Sequence, residues 1–126
     1  MSKQHLYLGN LGEEAAVGLL KESGYKILTR NYKDSLGEID IIARDKDTFC
    51  FIEVKTRNSL RFGLPQEAVS LTKQRQISKA ALNFLKKNNL LDKKARFDVV
   101  SVVYSGGRPQ LGLIKDAFNL DSSYTY

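Results

Sequence analysis

One cysteine, one histidine and no apolar run approaching the ~20 residues of a membrane span set the first limits on this 126-residue chain. The lone Cys50 excludes an intramolecular disulfide and agrees with a reducing compartment. Placed in an apolar run, it reads as a small buried hydrophobe rather than a reactive thiol. No zinc-type ligand spacing, P-loop, dinucleotide fingerprint or nucleophile elbow is present, and His5 is solitary and carries no role. Internal repeats, linkers and low-complexity stretches are also missing. The opening Met1-Ser2-Lys3-Gln4-His5 lacks the apolar segment of a signal peptide. A single domain spanning 1–126 is expected, cytoplasmic and without membrane contact.

Acids are scarce in one stretch. Residues 55–96 hold eleven Lys and Arg against only Glu67 and Asp92, a balance of +9 in a chain whose net charge is +6. The remainder is therefore −3. Basic residues concentrated in this way are the electrostatic footprint of a phosphate-binding surface. The plain alternative is a soluble helix with a lysine-rich outer face.

What the chain does contain is a hairpin with acids at its far end. Ile39 to Arg44 and Phe49 to Lys55 are rich in Ile, Phe and Val, and Asp45-Lys46-Asp47-Thr48 between them reads as a turn. A tight turn centred on Lys46-Asp47 pairs Asp45 with Thr48. It then places Asp40 opposite Glu53 and Glu38 opposite Lys55, all four on one surface. Directly opposed like charges, with Cβ atoms about 4.5–5.5 Å apart, are destabilising, so the pair asks for a cation. Two carboxylates without a nearby Cys or His suit a hard ion, Mg2+ or Mn2+, with Asp40 and Glu53 as its ligands. Lys55 would hold a water or meet developing charge on a phosphate. The competing reading is a solvated hairpin in which Glu38–Lys55 is a surface ion pair of about 0–1 kcal/mol. Phe49-Cys50-Phe51-Ile52, apolar on both faces, argues for an interior strand and against that reading.

The coarse order is α-β-β-β-α-β. The first helix is expected from about Leu8 to Ser23, ending at Gly24, with an apolar stripe of Leu8, Leu11, Ala15, Ala16, Leu19 and Leu20. Glu13 lies just outside that stripe and Glu14 farther out, so Glu13 is the acid better placed to turn toward the sheet. Tyr25–Tyr32 is the first strand. A loop at Asn58–Pro65 carries Arg61, Phe62 and Gly63, with Arg57 at its edge. The second helix is expected from about Ser70 to Asn88, with Ile77, Ala80, Ala81 and Phe84 inward. Lys73 falls on that same stripe, where it must snorkel or find an anion. Arg75, Lys79, Lys86 and Lys87 fall on the outer face. Arg96–Tyr104 reads as a buried strand, Ser105–Pro109 as a turn and Gln110–Ile114 as a short edge strand. Asp98 is open between an acid supporting the site and a strand-end ion pair with Arg96. Tyr104, Tyr124 and Tyr126 offer stacking surfaces or ordinary packing.

G-E-I-D at Gly37–Asp40, F-I-E-V-K-T-R at Phe51–Arg57 and G-N-L-G-E-E-A-A at Gly9–Ala16 together resemble the YraN-like (UPF0102) family of small bacterial proteins. That family is similar to the PD-(D/E)xK, restriction-endonuclease-like nucleases, near the archaeal Holliday-junction resolvases. The resemblance runs from about Gly9 to Asp98. It implies an α/β fold with an αβββαβ core, its mixed central sheet flanked by helices. It further implies Asp40, Glu53 and Lys55 as the catalytic core, a metal on Asp40 and Glu53, and Glu13 as an additional acid. Ile39 stands where the motif's name has proline, a position without side-chain chemistry. The expected activity is metal-dependent phosphodiester hydrolysis on nucleic acid, DNA foremost, with branched or junction structures and a homodimer suggested by the resolvases. Lys73, Arg57, Arg61 and Arg75 are the candidate phosphate contacts. The alternatives are a non-catalytic nucleic-acid-binding module and an interaction subunit of a repair complex.

Overall fold

The computed structural model describes residues 3–57 and 69–119, the side chains of 3–10 excepted. The expected contacts at Arg61 and Phe62, the tyrosines Tyr124 and Tyr126, and the Leu8 and His5 side chains lie outside the described residues. The elements are α1 (Lys3–Glu22), β1 (Lys26–Lys33), β2 (Glu38–Asp45), β3 (Thr48–Arg57), α2 (Leu71–Lys87), β4 (Lys94–Ser105) and β5 (Arg108–Phe118). The strands form one five-stranded sheet in the order β1-β2-β3-β4-β5. Only β3 and β4 run parallel, joined through α2, and the other three pairs are antiparallel. The α/β architecture with a mixed sheet is thus present. No helix among the described residues is long and apolar enough to cross a membrane.

Alternation along the central strands divides the core in two. Ile41, Cys50, Ile52, Val100 and Val102 pack with Ala16, Val17 and Leu20 of α1. Their neighbours Ile42, Phe51, Phe97 and Val99 pack with Ile77, Ala80, Ala81 and Leu85 of α2. Because successive strand residues point to opposite faces, the two helices cover opposite sides of the sheet. A strand covered on both sides must be apolar on both, as Cys50, Phe51 and Ile52 are, each no more than 1% exposed.

Helix α2 begins and ends where its capping residues predict. Ser70 accepts the Lys73 amide as N-cap, and Asn88 is the C-cap. Helix α1 starts earlier than expected and buries a rotated face. Leu11 is 39% exposed, whereas Val17, outside the expected stripe, is buried. The cause is Gly12: a Cβ there would collide with Thr56 of β3, so the bare glycine is the point of closest approach. The edge strand β5 runs eleven residues rather than five, paired to β4 from Ser105–Arg108 down to Phe97–Phe118. Its extension is carried by apolar residues beyond the expected end, since Ala117 and Phe118 pack against the α2-side core.

Candidate functional site

The β2–β3 hairpin has the register its turn demands, from Asp45–Thr48 to Ile41–Ile52. Ladder pairing stops one step before Asp40–Glu53. There Ile39 belongs to the α2-side core and Ile41 to the α1-side core, although two residues apart on one strand they should share a face. The break has a partner in β1: Asn31, between Arg30 (paired with Ile41) and Tyr32 (paired with Ile39), holds a left-handed φ of 53°. Asn tolerates that conformation better than most residues. Freed from the backbone ladder, the Asp40 carboxylate takes over a ladder bond, and its Oδ2 accepts the Val54 N–H at 2.8 Å.

Asp40 and Glu53 do come together, though through side chains rather than as a ladder pair. Glu53 follows Phe51 on the α2 side of β3 and is 5% exposed. Its Oε1 lies 3.9 Å from Lys55 Nζ and 3.8 Å from Lys73 Nζ, distances of ion pairing beyond hydrogen-bond reach. Oε2 is buried with no hydrogen-bond partner among the described residues. Burial pushes the Glu53 carboxyl up to about 7; the Asp40 charge and a hydrogen bond shared with Asp40 push the same way, while Lys73 and Lys55 pull it down. Lys73, the misplaced lysine of the inward stripe, has therefore found an anion.

The expected Glu38–Lys55 pairing is not what the structure holds. Glu38 sits opposite Lys33 across the β1–β2 ladder and pairs with it at 3.5 Å, both side chains exposed. The twist at Asp40 turns Glu38 away from β3. Glu13 is more buried than Glu14, as its place beside the stripe predicts, but both engage Arg30, at 3.4 and 2.7 Å. Arg57 and Arg75 are each engaged in an interaction, and Arg75 is exposed on the outer face of α2, as are Lys79, Lys86 and Lys87. Among the described residues no three His, Cys, Asp or Glu side chains gather to hold a metal. A hard divalent ion does not need three: Mg2+ is commonly bound by one or two carboxylates and keeps several waters. Two oxygen-donor acids, one with a buried oxygen that has no donor among the described residues, fit such an ion.

Two further groups position the site. Asp34 accepts the Leu36 and Gly37 amides at 2.8 and 3.0 Å and the Tyr32 hydroxyl and Asn83 amide at 3.2 and 2.8 Å. It ties the β1–β2 loop to α2. Burial opposes its ionisation, yet these four donors together hold its carboxyl below the usual range. Gly37 completes the contact, since a Cβ there would sit 2.8 Å from the Gln76 carbonyl oxygen. The D-x-x-G spacing of Asp34 and Gly37 is a turn signature visible in sequence; the Asn83 partner, 49 residues away, is not.

Near the hairpin turn lies a second cluster. Asp98, fully buried, accepts from Tyr25 at 2.8 Å and from Arg96 at 3.0 Å, and takes the Asp116 amide at 2.9 Å. Arg96 and Lys115 also reach Asp45, at 2.7 and 3.2 Å. Asp98 is thus an ion-pair partner of Arg96, on the α1 side with Tyr25, away from Glu53. Cys50 is fully buried, and burial pushes its thiol up to about 12, which keeps it inert.

Comparison with known proteins bears out the family resemblance. The model of the uncharacterised protein family UPF0102 matches residues 12–102. A UPF0102 protein of Geobacter metallireducens is 53% identical over 120 residues, covering 95% of this chain and 98% of its own length. Another from Syntrophus aciditrophicus is 51% identical, covering 93% of this chain and 92% of its own. One from Caldicellulosiruptor saccharolyticus is 49% identical, with 88% and 96% covered. With the family model spanning most of its length and relatives at about half identity aligned nearly end to end, the chain belongs to the UPF0102 family.

Proposed function

We propose that this chain is a divalent-metal-dependent nuclease that hydrolyses phosphodiester bonds in DNA, built on a restriction-endonuclease-like core of the PD-(D/E)xK type. One observation carries the reading: a second acid and lysines from two different elements converge on a single buried carboxylate, Glu53. A surface hairpin has no reason to bury an acid beside another acid, because that arrangement is destabilising in itself. Asp40 and Glu53 would hold Mg2+ or Mn2+, which when bound supplies a more acidic water and offsets charge on the phosphoryl oxygens. The chain does the rest. The Val54 amide fixes the Asp40 carboxylate, Lys55 orients the attacking water, and Lys73 at the start of α2 takes a phosphate oxygen. Arg57, Arg61 and Arg75 are the further candidate phosphate contacts. Glu13 is engaged with Arg30.

The test is cleavage of plain duplex, flapped and four-way-junction DNA with Mg2+, Mn2+ or EDTA. Metal-dependent cutting is expected, with Asp40→Asn, Glu53→Gln and Lys55→Ala each reduced by about 10²-fold or more. Preference for branched DNA and a twofold dimer in sedimentation would extend the reading to a resolvase-like enzyme that cuts two strands symmetrically. A second reading is favoured by Glu13 being engaged with Arg30: a module that binds nucleic acid without cutting it. DNA binding with no cleavage under any metal would establish that module and overturn the nuclease.

A further inference from the structure

We propose that Lys73 and the divalent ion compete for Glu53, so that metal loading is coupled to capture of a nucleic-acid phosphate. This rests on the nuclease reading above and adds how its site is regulated. Among the described residues, the charges that bear on Glu53 are Asp40, Lys73 and Lys55. With both acids ionised, as at the pH 8 of the test below, these two carboxylates and two ammonium groups are formally neutral together. Both lysines address the same oxygen, Oε1, at 3.8 and 3.9 Å. They already supply the countercharge a metal would bring.

A divalent ion added to this cluster leaves it at +2, with like charges crowded around a side chain only 6% exposed. Little solvent screening is available there, so the repulsion is felt strongly. Binding is therefore weak unless a lysine withdraws or an anion arrives. Both lysines are about a third exposed, 32% for Lys55 and 34% for Lys73; Lys55 springs from the same strand face as Glu53, two residues away, whereas Lys73 comes from a different element. Lys73 stands in the first turn of α2 and can swing outward. A phosphodiester gives it somewhere to go, and two successive phosphates restore neutrality to the loaded site. Metal and DNA thus favour one another's binding, and thermodynamics makes the effect reciprocal. Free protein stays largely unloaded until nucleic acid is present.

The experiment compares wild type, Lys73→Met and Lys73→Arg, each checked for folding by its melting curve. Mn2+ affinity is read at pH 8 by electron paramagnetic resonance of the free ion, without DNA. Duplex-DNA affinity is read by fluorescence anisotropy with and without Mn2+. Lys73→Met should bind Mn2+ at least about fivefold more tightly than wild type, the lower end of ordinary site–site coupling. Lys73→Arg, which keeps the charge, should match wild type. Mn2+ should strengthen DNA binding by wild type more than by Lys73→Met. Equal or weaker Mn2+ binding by Lys73→Met overturns the competition while leaving the metal site intact. Absence of Mn2+ binding in all three proteins overturns the metal reading itself, and the competition with it.

Discussion

The Asp40 carboxylate replaces a rung of the sheet: its Oδ2 accepts the Val54 amide at 2.8 Å where the β2–β3 ladder has ended. The same side chain therefore does two things, capping a strand and placing negative charge beside Glu53. Asparagine keeps the first role and loses the second. Asp40→Asn should accordingly melt at the same or a higher temperature than wild type in EDTA. Mn2+ at a hundred times its Kd should stabilise wild type by about 2.7 kcal/mol and the variant hardly at all. An apo variant that melts clearly lower would mean the Asp40 charge is held by a cation instead.

Gly37 sets how near α2 can come to the start of β2. In Gly37→Ala the new Cβ would meet the Gln76 carbonyl oxygen at 2.8 Å, and backbone cannot yield as a flexible side chain does. A loss of about 1–3 kcal/mol is expected, as for other overpacked sites, measured by urea denaturation. The displaced helix should carry Lys73 away from Glu53. Wild-type stability in this variant would show that loop and helix separate freely.

Nucleic-acid affinity should fall steeply with salt, with a log–log slope near −0.9 per duplex phosphate neutralised. In EDTA, Lys73→Ala should reduce that slope by about one unit. A slope near zero in wild type would leave the basic segment as solvated surface and favour an interaction subunit.

Acid should attack the far cluster. The Arg96 hydrogen bond, helped by Lys115 against some burial, holds the Asp45 carboxyl below its usual 3.8. A depressed folded-state value means stability that is present above the unfolded value and lost as pH falls through the folded one. The Asp45 contribution should thus be intact from pH 7 to about 4 and be lost below it, read as the difference in denaturant midpoint between wild type and Asp45→Asn. Asp45→Asn should cost about 1.5–3 kcal/mol at pH 7, as for hydrogen bonds to charged groups, and show a shallower acid loss. Parallel pH profiles for the two proteins would count against this account.

Much of the site could be read from local chemistry. The Lys46-Asp47 turn fixed the hairpin register, and that register brought Asp40 near Glu53. Helical spacing exposed Lys73 as a lysine on an inward face. The expectation of a hard divalent ion came from the opposed carboxylates, and the family resemblance implies the same ion. The twist at Asp40 was hidden because it depends on Asn31 across the sheet, and its effect was to send Glu38 to Lys33. The Arg96–Asp98 pair, two residues apart, was legible as a strand-end ion pair, but Arg30's capture of Glu13 and the Tyr25–Asp98 bond join residues 17 and 73 positions apart. Periodicity carries no information at that range; only the assembled sheet does.

The burial of Cys50 turns the molecule into its own clock for opening. A single thiol sits near the turn end of the central strand, fully covered, packed with α1. An alkylating reagent can reach it only when that face of the sheet parts from its helix, so each modification event counts one such excursion. Labelling rates taken with and without Mn2+ or DNA would then tell whether ligands bound at Glu53, on the opposite face, quiet the whole sheet or only their own side of it.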